Sequence, residues 1–252
     1  MAITIKSARE IALMKEAGRI LELVHEEMKE KIAAGMSTED INRIGEEVII
    51  RNGCIPSFKD YNGYPTSICV SVNEEVVHGI PSKKKIIKEG DIVSLDAGVI
   101  YKGYHSDAAR TYGIGQISDE AEKLIRVTEE SFFEGIKFAK EGCHLFDISK
   151  AIGNYAESFG YGVVRDLCGH GVGSELHESP QIPNYEMPRR GPKLRAGMTL
   201  AIEPMINIGT WEVDWMDDDW TVVTRDRSLS AHYENTVLIT EGEPILLSKG
   251  NI

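Results

Sequence analysis

The sequence has no Cys-x-x-Cys pair among its four cysteines (Cys54, Cys69, Cys143 and Cys168), which excludes the usual spacing of a structural zinc knot or a dithiol redox motif. It has no apolar run long enough to span a bilayer. Its first residues, Met-Ala-Ile-Thr-Ile-Lys, lack the apolar core and cleavage site of a secretory signal. Cytoplasmic residence, free thiols and no membrane partner are therefore the expectation. It has no basic excess either: the formal charge is −12, which argues against nucleic-acid binding through a basic face. The one short positive run, Lys83-Lys84-Lys85, reads as a solvated loop. No low-complexity or linker-like stretch divides the chain. At 252 residues and 42% hydrophobic content it can bury a substantial core, and it reads as one domain over residues 1–252.

What the chain does have is a repeat. At a shift of 107 residues Gly35 falls on Gly142, Asp40 on Asp147, Ile41 on Ile148 and Gly53 on Gly160. Further on, Ile87 falls on Leu194, Gly90 on Gly197, Val93 on Leu200, Leu95 on Ile202, and Asp96 on Glu203. The match joins helix ends, apolar strand positions and an acid, so it reads as a duplication spanning roughly residues 7–107 and 118–240. In the first half Ser7 with Glu10 makes a capping box. Ile11, Met14, Ala17, Leu21, Val24 and Met28 then follow the helical period. A second helix is expected from Thr38 to Asn52, closed by Gly53. In the second half a helix opens at Ser118 and reaches toward Lys140, with Gly142 as its stop. Another begins at Asp147 and closes at Gly160. Asp91–Asp96, Met198–Glu203 and Thr236–Thr240 have the β-branched look of strands. The expected architecture is α+β: two related halves with pseudo-two-fold symmetry, helices outside and a shared curved sheet inside.

Four strings carry the chemistry. Asp96-Ala-Gly-Val-Ile-Tyr-Lys-Gly-Tyr-His-Ser-Asp107 reads as two strands joined by a Lys102-Gly103 turn, with both acids on one face. Close carboxylates raise each other's pKa unless cations neutralise them. The string also fits a hairpin with two surface acids. In Cys168-Gly-His170-Gly-Val-Gly173 the glycines let the backbone pass close to a ligand or another strand, although His170 also fits a buried, hydrogen-bonded histidine. Glu203 ends an apolar strand before Pro204, and Glu234 enters the apolar run Val237-Leu238-Ile239, where an unpaired charge is costly. Oxygen-rich ligation with one imidazole suits manganese, iron, cobalt or zinc. Four carboxylates balance two dications.

Together, Asp96-x-Gly, Gly-Tyr-x-x-Asp107, Gly-His170-Gly-x-Gly, Glu203-Pro-Met and Tyr-Glu234-x-Thr resemble the motifs of type I methionine aminopeptidases. The similarity runs nearly end to end and includes Asn73-Glu-Glu-Val-Val-His78-Gly-Ile-Pro81 and Trp220-Thr-Val. The resemblance implies the pita-bread (creatinase-like) fold with a mainly antiparallel sheet. It also implies two divalent ions (cobalt, manganese, iron or zinc), with Asp107 and Glu234 bridging them. Asp96 completes one site, and His170 with Glu203 the other. The implied activity is removal of the initiator methionine from nascent polypeptides and peptides whose second residue is small. In that reaction a hydroxide held between the metals attacks the first peptide carbonyl, Glu203 relays the proton, and His78 and His177 contact the scissile amide and oxyanion. Tyr61, Tyr64, Cys69, Leu176 and Trp220, with Phe58 and Met205 nearby, are the implied methionine pocket. Leu176 stands where relatives commonly carry an aromatic, and His232 and Asn235 where they carry Gln and His. Transient ribosome contact and a monomeric state complete the implied picture.

Three rivals share the fold. X-Pro peptidases generally carry an extra N-terminal domain for which there is no room ahead of Ser7. Type II methionine aminopeptidases insert a helical segment between the last two ligands, which here are only 31 residues apart. A non-catalytic binding module is expected to lose ligands and gain basic patches. This chain keeps all five ligands and is acidic.

Overall fold

The computed structural model describes residues 2–249. Each half opens with two helices whose starts are set by side-chain caps. Helix α1 (Ala8–Lys31) begins at Ser7, whose hydroxyl accepts from the Glu10 amide while the Glu10 carboxylate accepts from the Ser7 amide. Helix α2 (Thr38–Arg51) repeats this reciprocal cap with Ser37 and Asp40. In the second half Ser118 caps α3 (Asp119–Ile136), and Asp147 accepts from the His144 amide at the start of α4 (Leu145–Glu157). Each such cap satisfies an otherwise orphaned amide and contributes about 1 kcal/mol. The expected stripe on α1 is buried from Met14 to Met28, and Ile11 is half-buried at its edge.

Two helix boundaries depart from expectation. Helix α3 stops at Ile136 rather than reaching Lys140, because Lys140 bridges Thr240 and the Glu141 amide donates to the Thr240 carbonyl at 2.9 Å. Sheet pairing with the far end of the chain overrides helix propensity there. Helix α4 starts two residues before Asp147, since Asp147 is the third residue of a cap seated at His144.

The repeat is written into the backbone. Gly35 and Gly142 have φ of 93° and 91°, Gly53 and Gly160 of 71° and 82°, and Gly90 and Gly197 both of 89°. These left-handed values account for glycine at both copies. The Gly35 amide donates to Ile87 O as the Gly142 amide does to Leu194 O, and the Ser37–Ile86 bridge recurs as His144–Lys193.

The expected shared sheet is divided by hydrogen bonding into four sheets. In the first half, Ile92–Tyr101 pairs with Ile68–Val72, Ile55–Pro56 and Tyr104–Gly113. In the second, five antiparallel strands run in the order Ile245–Leu246, Asn235–Leu238, Thr199–Ile202, Gly169–Gly171 and Glu178–Ile182. Two three-stranded sheets complete the set, one built on Met205–Asn207 and one on Val222–Thr224. One division, within the second half, has a local cause. Thr199–Ile202 pairs with Asn235–Leu238, and Met205–Asn207 pairs with Ser230–His232, in one continuous register (Ile202 opposite Asn235, Met205 opposite His232). Pro204, which has no N–H, interrupts that ladder. Opposite Glu203, at a non-hydrogen-bonded position, the Glu234 amide points away from that strand and donates to Ala109 O of the first half, at 3.0 Å. Beside it, the Thr236 hydroxyl accepts from the Asp107 amide at 2.8 Å and donates to the Asp107 carbonyl at 3.0 Å. These bonds stitch the halves together where the acids lie.

Apolar clusters fill the space between helices and sheets, one under α1 and α2 and another under α3 and α4. No described helix is long and apolar enough to cross a membrane. Thr236→Val keeps the shape of this fully buried side chain but leaves the Asp107 amide and carbonyl without their partner. It is expected to destabilise the protein by about 1–3 kcal/mol in urea denaturation.

Candidate metal centre

Strand register explains how the acids meet. Lys102 (φ 48°) and Gly103 (φ 83°) form the two-residue left-handed turn that the hairpin requires. In the ladder it closes, Asp96 lies opposite Ala109 and Gly98 opposite Asp107, so the two acids are diagonal neighbours on one face. Across the interrupted ladder of the second half, the shared register sets Glu203 directly opposite Glu234. His170 pairs with Ala201, two residues before Glu203, which puts the imidazole on that same face. Its flanking glycines have a steric reason: a Cβ would meet Ala201 O at 2.4 Å on Gly169, and Ser179 O at 2.3 Å on Gly171.

The five expected ligands line one cavity of about 150 Å³. Asp107, His170 and Glu234 each offer a ligand atom within 4.8 Å of the others. His170 Nε2 stands 3.7 Å from Asp107 Oδ2 and 3.7 Å from Glu203 Oε1. Those gaps are wide for hydrogen bonds and close to the span between two ligands of one cation. His170 Nδ1 donates to the Gly171 carbonyl at 2.9 Å, which leaves the Nε2 lone pair free for a metal. Asp96 Oδ1, Asp107 Oδ1 and Glu234 Oε1 are buried with no hydrogen-bond partner among the described residues. The donor set therefore fits hard or borderline divalent cations.

Electrostatics points the same way. Burial pushes Asp107 up to about 7, with the Ala108 amide opposing. Burial first, and then repulsion from neighbouring carboxylates, holds Asp96, Glu203 and Glu234 well above the usual carboxylate range. Burial lowers His170 to about 3 and His78 to about 4, so both rings are neutral. Burial also raises the Cys69 thiol, helped by Asp96, so Cys69 is a packed neutral thiol.

The apolar wall is a cluster of Phe58, Tyr64, Cys69 and Leu176, with Tyr61 and Trp220 packed against it. Tyr64 and Trp220 meet edge to face at 5.1 Å. His78 lies beside Trp220, its backbone at φ 58°, and the His177 ring is 4.3 Å from His170. Tyr61 Oη is 2.8 Å from His177 Nδ1.

The model of metallopeptidase family M24 matches residues 12–241. A methionine aminopeptidase from Clostridium acetobutylicum is 54% identical over 246 residues, 98% of each chain. This chain belongs to the bacterial type I methionine aminopeptidases of that family. The crystal structure of the Thermotoga maritima methionine aminopeptidase superposes with a TM-score of 0.97 at 47% identity, covering 99% of this chain and 100% of that one. Prolidase from Pyrococcus furiosus gives a TM-score of 0.79 at 25% identity, but only 66% of its chain is covered. The architecture is thus the pita-bread fold, held in common with X-Pro enzymes that extend beyond it.

One expected pocket residue of this methionine aminopeptidase lies elsewhere. Met205 does not line the cavity and packs with Val76, Val77, Val164, Val213 and Val222. Asn62, by contrast, lines the cavity without having been expected there. Its only signal was the Asn62-Gly63 turn dipeptide, and Asn62 indeed has φ 50°.

The raised Asp107 carries a stability prediction for cation-free protein. The folded state keeps a proton that an unfolded Asp releases above about pH 4, so stability falls as pH rises from there to about 7, by about 1.4 kcal/mol per pH unit per proton. Asp107→Asn should therefore be the more stable protein at pH 7.5 in chelator, and lose that advantage near pH 4. Saturating manganese should reverse the order at pH 7.5. Urea melts across this pH range measure all three.

Proposed function

We propose that the protein removes N-terminal methionine from peptides and nascent chains whose second residue is small. One observation carries this reading: the carboxylate–imidazole cluster and a closed apolar wall share a single cavity sized for one long side chain. Two divalent cations, drawn from cobalt, manganese, iron or zinc, would be held by Asp96, Asp107, His170, Glu203 and Glu234. On the family resemblance, Asp107 and Glu234 would be shared by both cations, Asp96 would help hold one, and His170 with Glu203 would help hold the other. When bound, such ions polarise the scissile carbonyl and bring the pKa of water down to about 7.

The side chains do the rest. Phe58, Tyr64, Cys69, Leu176 and Trp220 take up the methionine side chain and exclude water around it. Tyr61 acts mainly through His177. With its hydroxyl donating to Nδ1, the imidazole proton stays on Nε2, which can then donate to the developing oxyanion. His78, neutral and half-buried, steadies the scissile amide. Glu203, beside the place where the water attacks, moves the proton from that water to the departing amine. The substrate's free α-amine binds at the Asp96 side. The family resemblance implies a monomer. Nascent chains as substrate make the cytoplasm the working compartment and contact with the ribosome transient.

The decisive assay is release of methionine from Met-Ala-Ser and Met-Leu-Ser by chelator-stripped protein, before and after adding manganese or cobalt. Metal-dependent cleavage of Met-Ala-Ser alone is expected. Cleavage of X-Pro peptides with Met-Ala-Ser untouched would defeat the reading. Glu203→Ala should abolish turnover while circular dichroism stays native. His177→Ala should lower kcat by roughly 10²-fold, the loss typical of one oxyanion donor.

A further inference from the structure

One buried polar side chain at this centre has no part in the function proposed above. His232 is only 1% exposed, and neither Nδ1 nor Nε2 has a hydrogen-bond partner among the described residues. Its backbone is held on both sides by one residue of the other half: the His232 amide donates to Thr111 Oγ1, and that hydroxyl donates to the His232 carbonyl, each at 2.9 Å. The ring is thus carried to a fixed place. There Nε2 stands 3.6 Å from Glu203 Oε2, while His170 Nε2 is 3.7 Å from Glu203 Oε1. The Glu203 carboxylate lies between two imidazoles, one beside each oxygen.

The repeat makes this placement systematic. Gly98 opposite Asp107 in the first half corresponds to Met205 opposite His232 in the second, since both pairs lie two residues beyond the equivalent acids Asp96 and Glu203. His232 therefore occupies the duplicate of the Asp107 position and faces the centre from it. An imidazole with two unpaired nitrogens is a poor space filler where leucine would pack without a desolvation cost.

We propose that His232 is a positioning residue of the metal centre, donating Nε2–H to Glu203 Oε2 so that Oε1 is presented beside His170 to the cation. The present gap is a few tenths of an ångström beyond hydrogen-bond length, within reach of a small rotation of the Glu203 side chain. The inference rests on Glu203 being a metal ligand, as read above. Groups that orient ligands in this way typically change metal affinity by about 10- to 100-fold when removed.

The test uses the full chain stripped of metal and titrated with cobalt(II) alone. Affinity is read by competition with a chelator and the site by cobalt visible absorption, with thermal melting as the folding control. His232→Ala should bind the cation about 10- to 100-fold more weakly with an altered cobalt spectrum, and His232→Gln, which restores an N–H donor, should recover most of both. In a Glu203→Ala background the His232→Ala change should cost no further affinity. If His232→Ala does not fold, His232→Leu fills the space without a donor and makes the same comparison. Wild-type affinity and spectrum in the donor-free variant, or a glutamine variant as weak as it, would overturn the inference alone. Wild-type protein that takes up no cobalt would overturn the metal reading of Glu203 and this inference with it.

Discussion

Four carboxylates confined to one buried face are the constraint around which the rest of this protein is arranged. Burial away from water raises the proton affinities of Asp96, Asp107, Glu203 and Glu234, and repulsion from neighbouring carboxylates raises those of Asp96, Glu203 and Glu234 further. A fold that only had to be stable would keep them apart. This one holds them together with backbone hydrogen bonds and leaves several of their oxygens without partners. Divalent cations resolve the conflict, because they convert the repulsion into ligation. The neutral imidazole of His170 adds a donor without adding charge.

The duplication supplies the frame, and its departures from symmetry supply the site. Asp96 and Glu203 are equivalent positions of the two halves. Their partners are not: Asp107 is diagonal to Asp96, whereas Glu234 is directly opposite Glu203. In the second half the position equivalent to Asp107 is occupied by His232, and Ala109 stands where the second half has Glu234. Strand alternation turns the Glu234 amide away from Glu203, its non-hydrogen-bonded partner, and toward the first half.

Much of this was legible in the chain. The serine caps at Ser7 and Ser118 and the Lys102-Gly103 turn are local, set by a few residues and their φ preferences, and the structure has them where they were expected. The errors fell where distant segments intervene. Helix α3 yields four residues to pairing with Thr240, the expected single sheet is split into four, two of them parted at Pro204, and Met205 packs in a valine cluster and does not line the cavity. Asn62 entered the wall through a turn whose dipeptide marks a bend but not what the bend faces.

By itself, then, the sequence determined the kinds of chemistry available: acids and one imidazole in apolar, glycine-flanked strings, a repeat, and the helix ends. Those follow from short-range sterics and hydrogen bonding, which each segment carries with it. Only the tertiary structure decided which atoms meet. Glu203 faces Glu234 because of a strand register closed over a loop, and a slip of one residue would turn either acid to the opposite face. Burial, and with it every raised carboxyl and lowered imidazole of the centre, belongs to the packed molecule and to no segment alone.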